Sequence, residues 1–244
     1  MTPQEFVIKV TLLYNSNSGI FSTKINAEEL IPVGLDNLHK ALFIFYVLQL
    51  DYAMKSQILY RGANRLYREK ENFFTPDYLS IQTEDQLSKI IKEYLHPRYI
   101  NEAVKRYIQN TYTLIHQYDG NPLNLFDNTE SCMEVLGRLK SFRGFGPKIG
   151  NFFVRTMINT FNYQYNDIDL MLPPVDVHDV RIAYLMGFTD TDQMTQKNIN
   201  NVKNIWSKAC IDTSNSWLIF DKALWLLGSE GKPKTYEEVL KLLD

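Results

Sequence analysis

An all-α fold of two helical lobes with a groove between them is what this sequence predicts, and three observations carry that expectation. Apolar residues recur at helical spacing through much of the chain, as in Leu42, Phe43, Tyr46, Val47 and Leu50. Capping patterns, a Thr followed three residues later by Glu or Gln, precede two of the runs. No convincing period-two alternation is present, and no internal repeat of the kind an α-solenoid needs.

Taken in order, Thr2-Pro3-Gln4-Glu5 reads as a helix start, with Thr2 as N-cap, Pro3 at the first helical position and Glu5 closing a capping box. The following F-V-I-K-V-T-L-L-Y is rich in β-branched residues, so a strand is the alternative there. Asn15 to Gly19 is a polar break. Leu35 to Lys70 reads as two helices, the second with Arg61, Arg65 and Arg68 along one side. Thr75-Pro76-Asp77 punctuates, and Thr83 with Gln86 opens another helix that Pro97 should end. Ile100 to Tyr118 is a long amphipathic pattern stopped by Asp119-Gly120-Asn121-Pro122. A short helix is expected over Glu130 to Lys140. The last third holds patterns from Val180, over Ile199 to Cys210, over Trp217 to Gly228 and over Tyr236 to Leu243.

The 244 residues suffice for one large or two small domains, and 45% hydrophobic with 22% charged residues is an ordinary globular balance. No apolar run approaches the roughly 18–20 residues that span a bilayer. The N-terminus lacks the basic region and cleavage site of a signal peptide, so the expected location is cytoplasmic rather than secreted. Cys132 and Cys210 are expected as reduced thiols, and two cysteines cannot supply the four thiolates of an iron–sulfur cluster. His39, His96, His116 and His178 include no close pair at helical ligand spacing, so metal catalysis is not expected. Neither a P-loop nor a Gly-x-Ser-x-Gly element is present.

The net charge is only −2, but it is unevenly spread. Between Val135 and Asn166 there is no Asp or Glu, while Arg138, Lys140, Arg143, Lys148 and Arg155 give about +5. That patch surrounds L-K-S-F-R-G-F-G-P-K-I-G-N-F-F, in which Gly144 and Gly146 allow a tight turn between two apolar helical patterns. Leu139 and Phe142 before the turn, and Ile149, Phe152 and Val154 after it, would pack the two helices together. The second helix would present N–H groups and its positive end to an anion, as a hairpin that grips a DNA phosphate without reading sequence. Downstream, L-P-P-V-D-V-H brings Asp176 to the start of a helix near Val177, where an aspartate can act as a cap. If Lys148 and Asp176 converge, the amine could attack a sugar C1′ to form a Schiff base, and the carboxylate could stabilise the oxocarbenium-like charge as a base departs. Such an amine would be activated by burial or by neighbouring positive charge.

At these residues the chain resembles the helix–hairpin–helix DNA glycosylases, the superfamily of endonuclease III and 8-oxoguanine DNA glycosylase, over roughly residues 35 to 230. G-F-G-P-K matches the family hairpin with its catalytic lysine, and P-V-D-V-H the segment with its catalytic aspartate. The resemblance implies catalytic roles for Lys148 and Asp176 and phosphate contacts from Arg143, Gly144, Phe145 and Gly146. His178 would buttress the Asp176 segment or contact a phosphate. The 28-residue spacing from Lys148 to Asp176 is longer than usual in the family, and terminal cluster ligands are absent. Both departures point toward the archaeal 8-oxoguanine glycosylase branch. By that resemblance Gln49 would read the base, Phe152 and Trp225 would stack on it, and Asp221 would accept from the guanine N1–H and N2–H. Asp221 and Trp225 share a helix face at i, i+4. Core packing is the plain alternative for Phe152 and Trp225.

The implied organisation is a single unit over 1–244 built of two subdomains. One is a central lobe over about residues 35–130 with the hairpin at 134–156; the other joins residues 1–34 to 180–244. The implied activity is an N-glycosylase with AP-lyase activity on 8-oxoguanine. Alternatives are a glycosylase for an oxidised pyrimidine, uracil or a mismatch, and a non-catalytic DNA-binding hairpin. The expected partner is double-stranded DNA with a damaged base, met by a monomer with no membrane involved. No cofactor is expected beyond a monovalent ion that the hairpin backbone could hold. Tyr52, Tyr60 or a residue within His96–Tyr99 is expected to wedge into the duplex.

Overall fold

The structure, a computed structural model, describes residues 1–25 and 27–244. The chain divides into two compact units, Met1–Asn26 with Asp169–Asp244, and Ala27–Ile168. Among the described residues the regular elements are helices, with no strand, and no helix is long and apolar enough to cross a membrane.

The first unit begins with α1 (Pro3–Asn15). Thr2 Oγ1 accepts from the Glu5 N–H while the Glu5 carboxylate accepts from the Thr2 N–H, and Pro3 occupies the first turn. This reciprocal cap, with the stripe Phe6, Val7, Val10, Thr11 and Tyr14 buried on one face, makes the β-branched run helical rather than a strand.

The second unit holds α2 (Asn37–Leu48), α3 (Ser56–Glu69), α4 (Pro76–Ser80), α5 (Glu84–Tyr94), α6 (Ile100–Tyr118), α7 (Cys132–Arg138) and α8 (Pro147–Phe161). α2 departs from its expected single apolar face: Ala41 through Leu48 are all buried, as befits a helix enclosed by its neighbours. Phe45 lies within 5.2–5.9 Å of Phe142, Phe145 and Phe153, which ties α2 to the hairpin and α8. Aromatic pairs of this kind add about 0.5–1.5 kcal/mol beyond their burial. Thr75-Pro76-Asp77 does more than punctuate, since Thr75 caps the short α4. α5 ends at Tyr94, ahead of Pro97, and Asp119 closes α6 in the left-handed conformation.

This unit begins at Ala27. Glu28 pairs with buried Arg155 at 3.7 Å and accepts from Asn159, while Asn64 donates to the Leu30 carbonyl, so these residues belong with α3 and α8. α3 and α5 approach so closely at Gly62 that a Cβ there would lie 1.9 Å from the Tyr94 carbonyl oxygen. Gly62→Ala is therefore expected to destabilise the protein by about 1–3 kcal/mol through overpacking. Thermal unfolding measures this, and an unchanged midpoint would contradict the contact.

The chain returns to the first unit with α9 (Val177–Leu185), α10 (Gln196–Asp212), α11 (Trp217–Leu226) and α12 (Tyr236–Leu243). The apolar pattern that continues to Gly228 leaves α-geometry after Leu226 and becomes a π-turn, Leu227–Gly231. Trp206 of α10 is fully buried between Phe6 at 5.5 Å and Phe220 at 5.3 Å, so α1 and α11 close on α10.

Candidate active site

The hairpin runs from α7 through a 3-10 turn, Leu139–Ser141, into α8. Two anchors hold it. Phe142 and Phe145 point into the aromatic core, so Phe145 offers a ligand only its backbone. On the polar side, Asn110 of α6 pairs with the backbone of Arg143, its Oδ1 accepting from the Arg143 N–H at 2.7 Å and its Nδ2 donating to the Arg143 carbonyl at 2.9 Å.

The two glycines play different parts. Gly144 has φ +88°, and a Cβ there would lie 2.7 Å from the Arg106 guanidinium. Gly146 is extended at the N-cap of α8, has open space where a Cβ would be, and provides no side-chain cap for the first turn. Gly146, Pro147 and Lys148 are all exposed. An anion at this helix start would meet backbone donors and the positive helix end. Lys148 stands exposed on the outer side of the first turn of α8, while Ile149 and Gly150 face inward, so of the two ways of activating the amine, burial or neighbouring positive charge, burial is not seen here.

The basic run is much less open than its +5 implies. Arg143 is held by Glu102 through two hydrogen bonds of 2.8 Å, Arg138 by Glu134 at 2.8 Å, and Arg155 is buried against Glu28. Lys140 and Lys148 are the exposed lysines of the patch. Arg143, expected at a phosphate, would have to leave or share Glu102 to reach one.

Glu102 also accepts from Arg106 at 3.2 Å. The Arg143 hydrogen bonds lead in holding its carboxyl at about 2 instead of 4.5; partial burial opposes them and Arg106 adds to them. A depressed carboxyl stabilises the fold fully above its unfolded pKa and ceases to do so as pH falls through its folded one. The Glu102 contribution should therefore fade between pH 4.5 and about 2. In Glu102→Gln, the urea midpoint should lose less over that window than in the native chain, and equal losses would contradict the assignment.

Gln49, expected to read the base, is engaged inside its own unit. It is fully buried at the end of α2, its Oε1 accepting from Asn110 at 2.7 Å and its Nε2 donating to the Tyr46 carbonyl. Arg106 donates to the Gln49 carbonyl. Gln49 thereby joins the polar network that fixes the hairpin. Phe152 is half-buried, with the Arg155 guanidinium 4.7 Å from its ring centre. Phe153, not Phe152, fills the core between α2 and α8. Among the wedge candidates, Tyr60 is buried and donates to Asp51. Tyr52 and Tyr99 are more than half exposed and line one cleft with Arg98 and Glu102.

The enlarged spacer after α8 is partly bound to this unit. The Tyr163 ring stacks on Phe126 at 4.7 Å. Asp167 accepts from Ser131 Oγ, the Cys132 N–H and the Met133 N–H at 2.6, 2.8 and 3.2 Å, at the start of α7. Burial pushes the Asp167 carboxyl up, but these donors outweigh it and hold it at about 2.

In the other unit, Asp176 is the N-cap of α9, its Oδ1 accepting from the His178 N–H at 2.7 Å. Asp179 completes a capping box by accepting from the Asp176 N–H at 2.6 Å. His178 Nδ1 lies 3.2 Å from Arg181, whose guanidinium donates to the Gly228 carbonyl, and Gly228 leaves no room for a Cβ beside His178. Asp221 is buried on α11, and Trp225, one turn on, is half-buried. Lys148, Phe152 and Gln49 thus belong to one unit, and Asp176, His178, Asp221 and Trp225 to the other.

The architecture has solved counterparts. The chain is similar to a trapped endonuclease III–DNA covalent intermediate, the estranged-adenine complex, with TM-score 0.61 and 15% identity over 96% of this chain and 89% of that one. It is similar also to a thermostable thymine-DNA glycosylase, with TM-score 0.62 and 11% identity over 98% of this chain and 94% of that one. At these identities the likeness is one of fold. No protein-family model matches the sequence, and no curated protein matches it.

Proposed function

We propose that this protein is a DNA glycosylase with AP-lyase activity that removes 8-oxoguanine from duplex DNA. The observation that carries the reading is Lys148, exposed in the first turn of the helix that follows an uncapped glycine turn, in a fold shared with an endonuclease III–DNA covalent intermediate and a thymine-DNA glycosylase. One of those is a trapped covalent intermediate with DNA, which supports a nucleophilic route.

In this mechanism the hairpin backbone at Gly144, Phe145 and Gly146 holds a phosphate, and the target nucleotide is flipped out of the stack at a cost of a few kcal/mol. Lys148 Nζ attacks C1′ as the base leaves, forming the C–N bond while the glycosidic bond breaks. The Asp176 carboxylate stabilises the positive charge that develops on the sugar. The departing base takes a proton from the amine, the C1′–O4′ bond of the aminal then opens with a proton passing to O4′, and the protonated Schiff base so formed loses a C2′ proton and expels the 3′ phosphate. Asp221 accepts from the guanine N1–H and N2–H, and Phe152 and Trp225 stack on the base. Amine and carboxylate both come from the chain, so a monomer needs no cofactor for these steps.

A glycosylase for another base is the second reading. The burial of Gln49 favours it, because a guanine-reading contact is lost, as does the thymine-DNA glycosylase likeness. Duplexes carrying 8-oxoguanine, an oxidised pyrimidine, uracil, a T·G mismatch or no lesion decide between them when base release is measured. Release of 8-oxoguanine ahead of the others is expected. Preferential release of another base establishes the second reading, and DNA binding with no release leaves only a binding hairpin.

A further inference from the structure

Asp179 is a buried acid with an oxygen that nothing satisfies. It is 3% exposed, and its Oδ2 accepts from the Asp176 N–H. Its Oδ1 is buried and has no hydrogen-bond partner among the described residues. The charges that act on it within its unit are the carboxylates of Asp176 and Asp221, and the Asp176 carboxyl is within hydrogen-bonding reach of its own. Asp179 makes no ion pair among the described residues, and the buried Lys222 of α11 has its ammonium 5.8 Å from the Tyr14 ring centre. On α9, Arg181 is turned to His178 and the Gly228 carbonyl. From α10 comes the Cys210 thiol, pushed up to about 12 by burial and then by Asp221. The π-turn contributes exposed Glu230, and the buried residues of α12 are Val239 and Leu243.

Two carboxylates without a donor between them repel, and a proton placed there turns the repulsion into a hydrogen bond. We propose that Asp179 is a positioning residue for Asp176: it keeps its carboxyl proton at neutral pH and donates it as a hydrogen bond to the Asp176 carboxylate while accepting from the Asp176 N–H. The pair then carries one negative charge, borne by Asp176, the half-exposed member that the His178 N–H also contacts. Burial first, then Asp176 and Asp221, raise the Asp179 carboxyl well above 3.8, the direction this arrangement requires. A neutral buried acid serving as hydrogen-bond donor beside a reacting group is a known catalytic device. The capping box alone needs only an acceptor at Asp179, so the shared proton is the added element. Its catalytic meaning rests on the glycosylase reading above; the proton itself does not.

The test is a pH titration of the whole protein labelled with ¹³C at the Asp carboxyl carbons. The Asp179 signal is identified as the one lost in Asp179→Asn, or, should that variant not fold, as the one whose transition moves to lower pH in Asp176→Asn. A signal in the protonated position at pH 7 is expected, and one that titrates in the ordinary acidic range overturns the proposal. No substrate is involved, so a protonated Asp179 in a chain that releases no base would sink the glycosylase reading and leave the shared proton standing. In the active protein, Asp179→Asn should move the alkaline limb of kcat to higher pH. A lowered melting temperature with an unmoved limb would reduce Asp179 to a structural cap.

Discussion

Replacing Lys148 with glutamine is expected to abolish the covalent adduct that borohydride traps between this protein and lesion-bearing DNA. The amine is the only atom in the proposed scheme that forms a reducible imine with C1′, and an amide cannot replace it. Lys148 is exposed, so the substitution should change stability by no more than about 0.5 kcal/mol. Loss of trapping with an unchanged melting temperature and retained duplex binding therefore isolates the chemistry. An undiminished adduct from Lys148→Gln would move the nucleophile elsewhere and end the present assignment.

Asp176→Asn is the second large effect expected, and it separates two roles that coincide in one side chain. Asparagine caps a helix about as well as aspartate, so the cap of α9 should survive. The charge does not survive. Removing one preorganised electrostatic stabiliser lowers kcat by about 10²–10³-fold, and that fall should appear in base release without a matching fall in melting temperature. Asp176→Ala should lose the same activity and, in addition, about 1 kcal/mol of stability. If Asp176→Asn keeps full activity, Asp176 is a cap and nothing more.

Local pattern was the readable part of this chain. The bounds of α6, the capping boxes of α1 and α5, and Asp176 as the cap of α9 depend on residues within a few positions of one another, so the sequence displays them directly. The burial of α2 on every side depends on which helices surround it, and nothing in its own residues says so. The partners of the basic run were hidden for a similar reason, since Glu102 reaches Arg143 from α6 and Glu28 reaches Arg155 from the start of its unit. Gln49 reads equally well as a base contact or as a core amide until Asn110 is seen opposite it. Asp179 had a visible signal, the Asp-x-x-Asp spacing of a capping box, but its unsatisfied oxygen shows only in three dimensions. The same holds for Asp167, which looked like spacer and proves to cap α7.

The composition of the first unit from both ends of the sequence has a consequence for biogenesis. α1 is synthesised before Ala27–Ile168, yet the helices it packs against within its unit, α10 and α11, are synthesised after that stretch. The whole of Ala27–Ile168 can fold in the interval, because it is a compact unit in its own right. Until α10 and α11 have been made, the apolar stripe of α1 is a sticky nascent segment open to chaperones. Maturation of this protein is thus ordered by the translation machinery itself, with the half that holds Lys148 assembled before the half that holds Asp176.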